Sequence, residues 1–180
     1  MSAIDLFANQ LLEESKRFLE KAREAPDDVA RAANLHASLM LSFCALEAHV
    51  NAIAEEFSVG SDLSVHEKGL LLEKDVRLED GQYRIKDSLK IVRLEERFQF
   101  LYAKFSGKPL DTSLNWWGKL MAALQLRNQL THAKDVLKIS EPAVRSATEA
   151  IIEALDGLYR SIYKKPFPPA SQGLHSCLNF

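Results

Sequence analysis

The sequence predicts an all-α protein, a helical bundle of about five main helices with a small β-hairpin near residues 75–86. Three observations carry that prediction. Apolar residues recur at steps of three and four through five long stretches, the period of one helix face. Glycine and proline are few, at 7 and 6, and the prolines gather toward the C-terminus, which leaves the long stretches free of breakers. Hydrophobic residues make up 47% and charged residues 27% of 180 residues, a globular balance in a chain long enough for one domain with a real core. The expected division is a helical domain over 1–164 and a C-terminal tail over 165–180.

Residues 3–24 read as the first helix, with Ile4, Phe7, Leu11, Phe18 and Ala22 at helical spacing and Leu12 and Leu19 widening the stripe. Pro26-Asp27-Asp28 breaks it and places acidic residues at the favourable dipole end of the next helix. That second helix is expected over about 28–58. Its stripe runs Val29, Ala33, His36, Met40, Phe43, Glu47, Val50, Ala54, Phe57. His36 reads as a satisfied core or edge histidine. Glu47 sits between Phe43 and Val50, and a carboxylate there needs a partner if buried. Asn51 lies one turn away. Glu47 is therefore expected to pair with Arg127 and orient it; the bland alternative is a partly exposed glutamate at the bundle edge.

Residues 58–86 are the least regular. Leu63 to Glu73 is expected to hold a short helix capped by Ser64. Asp80-Gly81 suits a type I′ turn, with Val76, Leu78, Tyr83 and Ile85 on one face of the hairpin. The next helix is expected over 87–106, with Ile91, Leu94, Phe98, Leu101 and Phe105 as its stripe, ended by Gly107-Lys108-Pro109. Thr112 or Ser113 is expected to cap a helix over about 113–132, whose core face holds Trp117, Leu120, Met121 and Leu124. After a connector over 133–139, Ser140 caps the last helix, with Pro142 tolerated in its first turn. Its stripe is Val144, Ala147, Ile151, Ala154, Leu155, Leu158 and Ile162. The tail PFPPASQGLHSCLNF either lies extended along another surface or is disordered.

The net charge of −2 gives no general pull toward nucleic acid, so any RNA contact must come from a local patch. Lys119, Lys134 and Lys138, with Arg127, can form one, although lysines on helices most often only solvate a face. Cys44 and Cys177 offer neither a disulfide framework nor a metal site, and Cys44 reads as a small core residue. No metal and no cofactor are expected. Without a run of about 18 apolar residues or a signal-peptide pattern, a soluble cytoplasmic protein with no membrane contact follows.

The chemistry concentrates in Leu126 to Lys134, LRNQLTHAK. Arg127 brings a permanent charge with a planar donor fork suited to phosphate. His132 can give or take a proton near neutral pH. Asn128 can hold an oxygen or orient the imidazole. Together they point to phosphodiester chemistry without a metal. The spacing alone is weak, since Arg31 and His36 repeat it as a decoy. Five residues correspond to about 140° around a helix, so Arg127 and His132 share no face while it stays regular. Asn128 and His132 do. A compact site therefore needs the helix to end near His132, a second chain, or both.

The order of a long helix carrying ALEAHVNAI, an amphipathic helical region, LRNQLTHAK closing a helix and a final helix resembles the HEPN superfamily. Arg127, Asn128 and His132 match the R-N-x-x-x-H form of its R-x4–6-H motif, and the resemblance covers residues 1–164. It implies an α-helical bundle, usually dimeric. Many members are metal-independent ribonucleases, often toxins or anti-phage effectors, some held by an antitoxin or other regulatory protein; others only bind. The implied reaction is attack of the ribose 2′-oxygen on the adjacent phosphorus. His132 would be the acid or base, Arg127 would stabilise phosphoryl charge, and Asn128 would orient His132 or hold phosphate. The alternative is a non-catalytic HEPN-like module binding RNA, a nucleotide or a partner protein. In the branch paired with a small nucleotidyltransferase, a Tyr follows the motif His by two positions; here that position is Lys134.

Overall fold

A computed structural model describes residues 3–60 and 62–180. It holds six helices in the order α1 (Ala3–Glu24), α2 (Asp28–Ser58), α3 (Val65–Leu71), α4 (Leu94–Ser106), α5 (Asn115–Thr131) and α6 (Glu141–Tyr163). Strands β1 (Lys74–Glu79) and β2 (Gln82–Leu89) form an antiparallel hairpin between α3 and α4, and a 3₁₀ turn spans Pro168–Gln172. The expected all-α bundle with one small hairpin is what forms.

The hairpin follows from its turn. Asp80 and Gly81 both have positive φ, at 50° and 76°, as a type I′ turn demands. Val76 faces Ile85 and Leu78 faces Tyr83 in register. Two strands alone are marginal, and α3 supplies the support. A Cβ on Gly69 would stand 2.3 Å from Val76 Cγ2 and 3.0 Å from the Lys74 carbonyl, so only glycine lets the ribbon seat there.

α6 is the central post, touching α1, α2, α4 and α5. Val144, Ala147, Ile151, Ala154, Leu155 and Leu158 are all buried, as its stripe predicts, and Ile162 is half-buried. α1 lies along α2, where small side chains allow close approach: Ser15 donates its hydroxyl to the Ser38 carbonyl at 2.8 Å inside the contact. Lys16 is fully buried there and tolerable only because Glu13 meets its ammonium at 2.7 Å.

Several expectations give way to packing. α2 buries Leu35, Leu39, Phe43, Leu46, Val50 and Ile53, whereas Val29 is 81% exposed, Ala33 is exposed, and His36 and Met40 are half-buried. The core row is turned from the predicted one, because α2 is apolar almost all round and both rows fit the period. By length and composition α2 could cross a membrane; 61% of its most apolar window is buried inside the fold. Cys44 points out from α2 rather than into the core. On α1, Phe7 is exposed and Ala8 takes its place in the core.

α4 starts at Leu94, not at 87. Residues 87–89 extend β2, and the Lys90 and Val92 N–H groups donate to the Glu73 carbonyl (2.7 Å) and carboxylate (3.1 Å). With those donors taken, the segment cannot join the helix, and Ile91 is left 82% exposed. α5 starts at Asn115, and neither Thr112 nor Ser113 caps it; Ser113 turns its N–H and hydroxyl to Asp111 Oδ1 at 2.9 and 2.6 Å. The tail folds back on the bundle. Phe167 enters the core, and residues 176–180 run beside α1, where Cys177 N–H donates to Glu13 at 2.7 Å and Arg17 donates to the Phe180 carbonyl.

His49 is fully buried on α2, edge-on to Tyr159 and Phe167. Burial pushes its imidazole down to about 4, against the pull of Asp5. On acidification from pH 6.5 toward 4 the unfolded chain takes up a proton here that the native state refuses. Stability should therefore fall across that window by on the order of 2–3 kcal/mol, and below it this residue adds no further loss. Urea midpoints at pH 7 and 4.5 check this: the acid loss should be clearly smaller in His49→Leu, and an equal loss in both proteins would contradict it.

Candidate functional site

The last turns of α5 present the motif. Arg127 leaves the helix toward α2, where its Nη2 donates to Glu47 Oε1 at 2.7 Å. Its guanidinium carbon lies 5.3 Å from the Phe43 ring centroid. A carboxylate on one side and a ring against the plane fix the fork in place. The pair is only partly withdrawn from water, with side-chain exposures of 20% for Arg127 and 45% for Glu47, so it contributes orientation more than stability. The expected Glu47–Arg127 contact forms. Arg127 Nε is buried with no hydrogen-bond partner, and Nη2 is the one nitrogen of the fork that the fold engages among the described residues.

The helix stops at the motif. His132 is its C-cap, with φ −118° and ψ 43°, and its N–H still donates to the Asn128 carbonyl at 2.9 Å. Thr131 turns its hydroxyl onto the Arg127 carbonyl at 2.9 Å, 3.9 Å from Met40 Sδ on α2. Asn128 and His132 are exposed, and neither side chain bonds another described residue.

Two depressions flank this helix end. One, of about 570 Å³, is lined by Glu47, Asn51, Glu73, Arg93, Arg97, Arg127 and Asn128, with Ile91, Leu94 and Leu124 as apolar wall. The other, of about 330 Å³, holds His132 and Lys134. Arg127 and Asn128 thus share a cleft within one chain, while His132 faces its neighbour. Of the other candidate lysines, Lys138 lies exposed on the connector. Lys119 sits eight residues before Arg127, about 12 Å away along the axis, and lines neither depression.

Asn51 does not serve Arg127. Its Oδ1 accepts from Arg97 Nη2 at 2.7 Å. Arg97, a second arginine of the same cleft, was not singled out by the sequence reading. It is 4% exposed and also donates to Glu73 Oε2 at 2.9 Å and to the Leu71 carbonyl at 2.8 Å. Burial pushes its guanidinium down from its ordinary value, and the Glu73 and Glu47 carboxylates push it back up; an arginine remains charged under such opposing effects. Glu73 holds this position with a left-handed φ of 52°, a conformation costing a non-glycine residue about 1 kcal/mol. The signal was present in the sequence: Arg97 interrupts the row Leu94–Leu101 by steps of three and four, as Glu47 interrupts its own.

The cleft therefore contains three arginines beside an exposed amide, and two of them, Arg97 and Arg127, are tied to carboxylates. Glu47 lies close enough to Arg97 to raise its pKa and bonds Arg127 directly, so one carboxylate couples the two guanidinium groups. Such an arrangement can hold an anionic oxygen at Arg127 Nη1 and stabilise charge growing there. Comparison with protein-family models, with curated proteins and with solved structures finds no match for this chain.

Proposed function

We propose that this chain is a metal-independent endoribonuclease of the HEPN type, acting as a cytoplasmic homodimer. The observation that carries the reading is the clamped Arg127: Nη2 held by Glu47, Nε buried, the plane held by Phe43, and Nη1 unspent among the described residues, beside the exposed Asn128. A fork fixed in advance costs little to organise when phosphate arrives. The reaction removes the 2′-hydroxyl proton, forms the bond from the 2′-oxygen to phosphorus, breaks the bond to the 5′-oxygen and delivers a proton to that leaving oxygen. The products are a 2′,3′-cyclic phosphate and a 5′-hydroxyl.

Each chain brings one motif histidine, so two proton transfers call for two copies. The outward row of α2 supports such pairing. Val29, Ala33, Ala37, Met40 and Cys44 form an apolar strip exposed or half-exposed to solvent, and it runs up to Thr131 at the motif end. A second copy laid on that strip would bring two motif ends together and join the separate Arg127 and His132 depressions. The competing reading is a binding module without catalysis, favoured by the fact that Arg127 and His132 line different depressions within one chain.

The test is cleavage of a structured RNA by the purified chain in EDTA, with end-group analysis. The expected result is cyclic-phosphate ends, in a protein that runs as a dimer. RNA binding with no cut in any substrate gives the site to the binding module instead.

A further inference from the structure

A second cleft, of about 930 Å³, shares no lining residue with the motif cleft. It opens where the C-terminal ends of α2 and α6 meet the first turns of α1. Tyr159 and Tyr163 form an aromatic wall, their ring centroids 5.1 Å apart, and the buried Phe167 backs it 4.9 Å from Tyr159. Asp5, Glu55 and Glu56 bring carboxylates, and Lys165 is the single cation among the described residues of the lining. Lys165 makes no ion pair among the described residues, and Glu55 has no side-chain partner there. Glu56 accepts from the Tyr163 hydroxyl at 2.5 Å, which fixes that ring and leaves one carboxylate oxygen unengaged.

The field in this cleft is negative from several sources. Asp5 answers the positive end of α1, whereas Glu55 and Glu56 add to the negative end of α2, which has no basic residue in its last turn. The carbonyl end of α6, by contrast, is met by Arg160 in its last turn and by the Lys164 ammonium, which donates to the Ser161 carbonyl at 2.6 Å. Both phenols respond by holding their protons: burial and the nearby carboxylates push Tyr159 up to about 12 and Tyr163 higher still. His49, buried behind Tyr159 and Phe167, is neutral at physiological pH and adds no positive charge to the wall.

Negative potential with aromatic walls selects a particular chemistry. An anion is repelled. A bare metal ion finds no ligand set, because among the described residues no three His, Cys, Asp or Glu side chains come together to hold one. An organic cation gains from both features, its charge against the carboxylates and its C–H surface against the rings. We propose that this cleft binds an alkylammonium group, with Tyr159 and Tyr163 contacting its carbon-bearing surface and Glu55 and Glu56 its charge. The group can belong to a free amine, such as a polyamine, or to a methylated lysine of a partner protein.

Calorimetric titration of the full chain separates these. Tetramethylammonium should bind about tenfold tighter than ammonium at matched ionic strength, since only the former offers methyl surface to the rings. Tyr163→Phe keeps the ring and should retain that preference, whereas Tyr163→Leu should lose it. Glu55→Gln with Glu56→Gln should weaken both cations about tenfold. Lys165→Ala removes the internal competitor and should tighten both. Spermidine binding above a trimethyllysine peptide assigns the site to free amines, and the reverse order to a protein tail. Equal binding of ammonium and tetramethylammonium, or an unchanged preference in a folded Tyr163→Leu protein, overturns the proposal. None of these readouts depends on RNA cleavage.

Discussion

Replacing His132 by alanine should lower RNA cleavage by about 10²–10⁴, the usual cost of losing one proton-transfer group. Arg127→Ala should cost about 10²–10³, as for loss of a donor to transition-state charge. Both side chains lie at the end of α5, and His132 is exposed, so circular dichroism and the elution volume should stay as in the wild type. Arg127→Lys should not restore activity. A lysine ammonium can meet Glu47 or a phosphate oxygen, but it lacks the planar fork that Phe43 and Glu47 hold in one orientation. Glu47→Gln keeps the shape and removes the charge that fixes Arg127; its rate should fall less, by about tenfold, at nearly unchanged stability. His36→Gln, at the decoy spacing, should cut as the wild type does. Cleavage that survives His132→Ala intact would remove the enzyme from this site.

Arg97→Ala should be the most destabilising single change near the cleft, at about 3–5 kcal/mol in urea unfolding. Arg97 joins α4 to α2 through Asn51, to the end of α3 through the Leu71 carbonyl, and to the base of the hairpin through Glu73. Truncation strands the Leu71 carbonyl and the Glu73 carboxylate and leaves a void where a long side chain lay. The Glu73 side chain is 24% exposed and can still find water, which points to the lower part of that range. Arg97→Met fills more of the volume and should lose less. A loss below about 1 kcal/mol for Arg97→Ala would mean that the network is not structural. Because Glu73 also holds the Lys90 and Val92 N–H groups, hydrogen exchange over 90–93 should speed up in the same variant.

Elements whose local chemistry leaves one choice were legible in the sequence. Asp80-Gly81 fits a type I′ turn and little else, so the hairpin and its register follow. α6 has a single wide apolar stripe and a polar remainder, so only one face can turn inward. Glu47 was legible as a charge interrupting an apolar row, and the Arg127 guanidinium meets that half-buried carboxylate. Arg97 carried the same kind of mark, but its partners come from the end of α3, the hairpin base and α2, and no spacing in the chain announces that convergence.

The sequence by itself determined the helices of the bundle, the turn of the hairpin and the residue types gathered at the end of α5, because helical period, turn chemistry and side-chain charge are local properties. Tertiary structure alone decided which row of α2 faces the core, since an almost wholly apolar helix satisfies burial at several rotations and only its neighbours choose one. It decided where α4 begins, because Glu73 captures backbone donors that a helix would otherwise use. It gave Asn51 to Arg97 rather than to Arg127, and it set Arg127 and His132 in neighbouring depressions. Each of these outcomes is a competition between partners distant in sequence, and distance and orientation, which the order of residues does not contain, settle it.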